Sequence, residues 1–226
     1  MTARPRRVAQ ALALALPDFS AFDGDRLEPR QDYDGIDFVD LDLSGQDAAD
    51  ARFVECRFQR CGVDGLSLRR SRIIGSVVDA IHGASVDLAD ATWRDSRITG
   101  GRLGAMNLPG ATLTAVRFVG SKLGFLNLAG AELDDVVFEG CEIDGLDARG
   151  AKLRDASFVD CSINELNVTE ARLAKVDLSG ARLRSLIGVD NLRGVTISHG
   201  QLLDLAPQLA AQLGIEVRPD DPASEA

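Results

Sequence analysis

ATLTAVRFVGSKLGFLNLAGAELDDVVFEGCEIDGL, residues 111–146, places large apolar side chains at Leu113, Phe118, Leu123, Leu128, Leu133, Phe138 and Ile143. They recur every fifth residue, a period that no regular element has. On a helix, steps of five separate successive side chains by about 140° and scatter them round the cylinder. On a strand, five is odd, so they alternate between the two faces. One inward-facing row therefore requires short extended pieces joined by corners, one corner per unit of five.

The pattern extends well beyond this stretch. Stepping by five from Phe38 to Leu183 gives thirty central positions in one phase, of which only Ala48, Gly83 and Ala148 are small. The residue two before each centre is also small or apolar, as at Ala111, Val116, Ser121, Leu126, Ala131 and Cys141. Each unit thus has two inward and three outward positions. A second period overlies the first: Ala recurs at 91, 111, 131, 151 and 171, Phe at 118, 138 and 158, and Leu at 126, 146, 166 and 186. Asp87, Asn107, Asn127, Asp147 and Asn167 form a polar column with the same spacing. Twenty residues is four units, so four corners close one turn of a square coil in which like residues stack. Across the square, ten residues apart, the small centres are expected to face large ones, with Gly83 opposite Trp93.

Units such as AELDD, AKLRD, CEIDG and ARLAK resemble the pentapeptide repeat family, over about Ile36 to Leu186. The resemblance implies an all-β solenoid, a right-handed quadrilateral parallel β-helix, and no common activity. Burying a Leu or Phe contributes roughly 1.5–3 kcal/mol. Fixing five residues of backbone costs roughly 1–2 kcal/mol each. A single unit is therefore unstable, and coils must stack. At about 4.8 Å per coil, residues 36–187 form a rod roughly 36 Å long. The expected organisation is an N-terminal arm or cap over 1–35, the coil over 36–187, a C-terminal helical cap over 188–217 and a disordered tail over 218–226.

Composition narrows the class. The 226 residues carry 25 basic and 35 acidic side chains, for a net charge of −10. VAQALALALP, residues 8–17, resembles the apolar core of a secretion signal but is short and holds Gln10; it reads as a short N-terminal helix or loose arm. No stretch is long enough to span a bilayer. A cytoplasmic, bacterial, non-membrane protein is expected. Cys56, Cys61, Cys141 and Cys161 all occupy the small inward position, which makes them core residues rather than a bridge or a metal pair.

After Leu183 the phase breaks, and TISHGQLLDLAPQLAAQLG, residues 196–214, reads as helix. Ser198 and Gln201 have the spacing of a capping box. Leu202, Ala206, Leu209 and Leu213 fall on one face, as a cap over the open coil end or a homodimer contact. Pro207 predicts a kink or two short helices, Gly214 a C-cap, and Ile215–Val217 a short added strand.

No catalytic grouping emerges. His82 and His199 are the two histidines, neither paired with a nucleophile, and P-loop, dinucleotide and C-x-x-C signatures are missing. No cofactor, metal or direct nucleic-acid contact is expected. What remains is surface. Residues 51–122 hold eleven bases and six acids, whereas 36–50 hold five acids and no base. Residues 123–148 hold seven acids and no base: Glu132, Asp134, Asp135, Glu139, Glu142, Asp144 and Asp147. These seven are the candidate partner surface of a non-enzymatic scaffold for an unidentified protein. Some members of the family that the sequence resembles protect DNA gyrase from fluoroquinolones as mimics of duplex DNA. The alternative that this resemblance implies is gyrase binding through the same acids.

Overall fold

The computed structural model describes residues 19–218. The short N-terminal helix or loose arm expected over residues 8–17 lies outside the described residues, as does the expected tail beyond Arg218. The chain is a four-sided parallel β-solenoid of about nine turns followed by a single helix. Its strands fall into a 16-stranded and a 7-stranded sheet, both parallel. Register is set by the twenty-residue turn: Leu113 lies beside Leu133, Leu133 beside Leu153, and Leu103 beside Leu123. Four walls result, running through Phe38–Phe58–Val78, Leu43–Val63–Gly83, Ala48–Leu68–Leu88 and Phe53–Ile73–Trp93, and so on up the coil. They are called here the first to fourth walls.

Both inward positions of the units are buried. Phe118, Phe138, Leu113 and Leu128 are fully excluded from solvent, and so are the small residues Ala111, Val116 and Ala131. On the first wall the rings of Phe118, Phe138 and Phe158 stack at 4.6 and 4.8 Å between centroids, which is the coil spacing itself. The cysteines are free and buried. Their thiols donate to the carbonyl two residues back, from Cys56 to Val54 and from Cys161 to Val159 at 3.4 Å each. Ser76 and Ser96 do the same toward Ile74 and Arg94. Small size and a short donor suit this position. Burial also pushes the Cys56 thiol up to about 11.

Corners come in two kinds. Those after the first, third and fourth walls take left-handed backbone, at Gly100, Gly110 and Gly120 but also at Asp95, Ala115 and Asp135. The corner after the second wall does so only at Gly45 and Gly65; above these, strands such as Arg102–Asn107 and Lys122–Asn127 run straight through it. A bulky side chain is therefore tolerated there, and Phe125 occupies it.

Gly83 does not simply make room for Trp93. A Cβ there would lie 2.7 Å from the backbone nitrogen of Asp64, one coil below. The missing side chain reflects close approach of two backbones, and Asp64 accepts from the amides of Ala84 and Ser85 at the same place. A cavity of about 40 Å³ remains among Val63, Val86, Trp93, Met106 and their neighbours.

Both ends of the coil differ from its middle. Ser20–Ala21 pairs with Ile36–Asp37 at an offset of sixteen, so residues 20–34 form a shortened first turn with Leu27 and Tyr33 buried. Val195–Thr196 pairs with Val176–Asp177 at an offset of nineteen, so the coil continues past Leu183 to a further short strand. The helix His199–Gln212 then begins with the expected capping box, Ser198 Oγ accepting from the Gln201 amide and Gln201 Oε1 from the Ser198 amide. It runs unbroken through Pro207 rather than dividing there. Gln201 turns inward and donates to the carbonyls of Leu178 and Ala181, at 2.7 Å each. Leu205 is buried beside it and Leu209 packs against the core. The face that closes the coil is thus 201, 205 and 209. Leu202, Ala206 and Leu213 point away, with Leu202 45% and Leu213 75% exposed. Ile215–Val217 forms no strand. No helix among the described residues is long and apolar enough to cross a membrane.

Candidate interaction surface

Outward side chains inherit the register of the sheets. Each outward position forms a column whose members stand about 4.8 Å apart, and opposite charges in one column meet. Of nine ion pairs among the described residues, seven join residues twenty apart, so pairing between coils dominates the charged surface. Arg60 grips Asp40 with two hydrogen bonds of 2.6 Å, and Arg70 grips Asp50 with two of 2.8 Å.

The seven acids between 132 and 147 do not share a face. Glu132, Asp134 and Asp135 stand on the fourth wall and its corner, Glu139 on the first wall, Glu142 and Asp144 on the second, and Asp147 on the third. Most are also partnered. Lys152 Nζ lies 2.7 Å from Glu132, Lys122 Nζ 2.7 Å from Glu142, and Arg154 holds Asp134. Arg149 holds Asp147, and Asn164 donates to Asp144 at 2.8 Å. Hydrogen bonds from these cations keep the Glu132, Asp134 and Asp147 carboxyls below their usual range. Asp135 and Glu139 remain without a partner among the described residues.

The polar column of the third wall has a structural task. Asn127, Asp147 and Asn167 each accept, through Oδ1, the amide two residues on, at 3.0–3.1 Å. These are Asx turns that lead into the corner, so Asn and Asp serve alike there. No group of three or more His, Cys, Asp or Glu residues among the described residues could hold a metal ion. His82 is exposed on the second wall, and His199 is the exposed first residue of the helix.

Two surface features escape a reading along the chain. One is a set of basic same-sign rungs: Arg52 beside Arg72, Arg97 beside Arg117, Arg102 beside Lys122, and Lys152 beside Arg172. Numbering modulo twenty reveals them, whereas a running charge sum shows only a basic belt. The other is the exposed apolar group at the C-terminal end, Leu202, Leu203, Leu213, Ile215 and Val217.

Residues 117–155 and 151–185 match the family model described as pentapeptide repeats, in eight copies. No curated protein matches the chain significantly. Among solved structures, HetL, a pentapeptide repeat protein involved in heterocyst differentiation regulation from the cyanobacterium Nostoc sp. strain PCC 7120, is 20% identical. The match covers 78% of this chain and 93% of that one, with a TM-score of 0.33. Full-length QnrB1, a plasmid-mediated fluoroquinolone resistance protein, is 18% identical over 86% of this chain and 95% of its own, with a TM-score of 0.36. At this distance the likeness concerns fold alone.

Proposed function

Since the chain carries pentapeptide repeats over residues 117–185, we propose that it is a non-catalytic scaffold that binds a protein partner through the outer surface of its coil. The observation that carries this reading is the locking of outward side chains into columns by sheet register and inter-coil ion pairs. A surface held this way loses little conformational freedom on binding, which favours recognition of one partner in one register. The apolar group at Leu202, Leu203 and Leu213 gives the same scaffold a surface for a second copy of itself. We place it in the bacterial cytoplasm.

A DNA-mimicking role toward gyrase has weaker support. Duplex DNA presents one negative charge per about 1.7 Å along its axis. Here the acids of 132–147 are divided among four walls and mostly neutralised one coil away. Any acidic contact is made wall by wall, with Asp135 and Glu139 as its unopposed charges.

The test is affinity capture of the tagged protein from its native host after chemical crosslinking, with crosslinked peptides mapped by mass spectrometry. A partner crosslinked repeatedly to outward columns of the coil is expected. Recovery of no protein above a tag-only control, or crosslinks confined to the chain ends, would overturn the scaffold reading. Gyrase supercoiling with the purified protein, with and without a fluoroquinolone, decides the alternative.

A further inference from the structure

The walls carry charge in a consistent manner: where a column holds charge on successive coils, the signs usually alternate, and an ion pair forms. The corner between the first and second walls in the middle of the coil instead stacks like charges twice, side by side. Arg97 lies in register with Arg117 on the first wall, and Arg102 with Lys122 on the second. The two rungs are joined through the left-handed corners at Gly100 and Gly120. Four cations thus stand on two successive coils around one edge. Like charges directly opposite on neighbouring strands destabilise the sheet. Arg102 and Arg117 make no ion pair with any described residue, and Lys122 meets Glu142 one coil above.

Beside this square the second wall is bare. Gly104 and Gly124 hold the outward position after the centre, and neither can carry a side chain without moving backbone. A Cβ on Gly104 would lie 2.6 Å from the Ala84 carbonyl oxygen, and one on Gly124 2.6 Å from that of Gly104. The result is an open groove of about 410 Å³, floored by these glycines and flanked by Arg102 and Lys122, with Glu142 and Asp144 at the coil above. At its far edge Phe125, 40% exposed, occupies the corner whose extended backbone admits a bulky residue. Its ring lies over Gly145, where a Cβ would fall 2.9 Å from Cδ2. Cations, a floor of exposed backbone and one projecting aromatic ring thus occupy neighbouring positions in the register of two coils, in a chain whose net charge is −10.

We propose that this edge is the docking site for an acidic, extended segment of a protein partner. Its carboxylates sit on Arg102, Arg117 and Lys122, its main chain crosses the Gly104–Gly124 floor, and one apolar side chain packs on Phe125. The assignment rests on the scaffold reading above and specifies the chemistry of the partner. Charge complementarity selects the occupant: the cations at this edge attract an acidic segment that the net anionic molecule otherwise repels, and binding weakens with salt. Arginine and an exposed aromatic residue are also the types that dominate binding energy at protein interfaces.

The probe is a short fluorescein-labelled oligoglutamate with one central leucine, followed by fluorescence anisotropy against the full chain at low and high salt. Saturable binding is expected, weakened about tenfold or more by Arg102→Glu with Arg117→Glu, weakened by Phe125→Ser, and unchanged by Arg172→Glu near the other end. Circular dichroism of each variant controls for folding, and Phe125→Ser alters only an exposed side chain, so the site stays testable if the double reversal misfolds. Absence of binding, binding indifferent to these substitutions, or tighter binding of a single-stranded oligothymidine at the same site would each overturn the proposal. Crosslinked partner capture with the same variants separates the two readings: capture that survives loss of the square removes this docking site and leaves the scaffold standing.

Discussion

Glu132 and Lys152 stand one coil apart on the fourth wall, with Oε1 2.7 Å from Nζ, although nineteen residues intervene between them. Both side chains are more than half exposed, so the pair contributes through register rather than burial. Glu132→Lys, which stacks two cations, is expected to lower the melting temperature. Adding Lys152→Glu should restore it, and the difference should shrink in high salt. Failure of the swap to restore stability in a double-mutant cycle would show that the column does not couple the two residues.

Acid should loosen the coil in a defined window. Hydrogen bonds from Arg60, Arg70, Arg154 and Arg149 lower the carboxyls of Asp40, Asp50, Asp134 and Asp147. A depressed folded value means that the stabilisation is fully present above the ordinary carboxylate value of about 4 and is lost as pH falls through the folded value. Melting temperature is therefore expected to hold from neutral pH down to about 4 and to fall below it. Asp147→Asn keeps the Asx turn, as Asn127 and Asn167 show on the same column, but gives up the charge pair with Arg149, so it should melt somewhat below the parent at neutral pH. It should also lose less on acidification. An unchanged acid transition would remove Asp147 from the linkage.

Gln201 is a polar residue doing the work of a plug. Its amide satisfies the Ala181 carbonyl, which the last coil would otherwise leave unpaired, and adds a second donor to the Leu178 carbonyl, which already accepts from the Ala181 amide. Gln201→Leu keeps the volume and removes the donors, at a cost of about 1–3 kcal/mol. Leu202→Ala, on the outward side of the same helix, should leave monomer stability nearly unchanged and weaken self-association if two copies meet there. Urea unfolding and light scattering separate the two effects, and equal destabilisation by both substitutions would refute the assigned helix face.

Gly83→Ala should destabilise by roughly 1–3 kcal/mol, because the new Cβ meets the backbone of Asp64. Trp93→Leu should not rescue it, since it enlarges the neighbouring cavity without relieving that clash. Urea unfolding of the double mutant should show losses that at least add. Recovery of stability would mean that Gly83 is small to accommodate the indole after all.

The coil was legible because one physical demand, an inward apolar residue at each corner-bounded unit, is written thirty times in one phase. The capping box was legible for a similar reason: Ser198 and Gln201 are a local signal that needs nothing from the rest of the fold. The shortened first turn was not, because Phe22 and Leu27 sit out of phase with Phe38 and only pairing at an offset of sixteen brings them onto the stack, whereas Tyr33 keeps the phase and lies beside Phe53. The inward helix face was misread since it presents a glutamine to buried carbonyls, while the exposed side holds Leu202, Leu203 and Leu213. The acidic run from Glu132 to Asp147 looked like one surface because its members are neighbours in sequence. Three corners divide them among four walls, and their counter-charges come from residues far along the chain, such as Lys152 and Arg154.

The twenty-residue closure makes position on this molecule a matter of modular arithmetic. A residue's number, divided by twenty, gives its height in the quotient and its compass direction in the remainder. Inserting or deleting a whole turn moves everything above it by about 4.8 Å and leaves every heading intact. Inserting one unit of five rotates all that follows by a quarter turn, so that Phe125 would look out over what is now the next wall. Such a chain can be lengthened in steps without disturbing what it displays, yet the smallest in-phase insertion re-aims half of its surface.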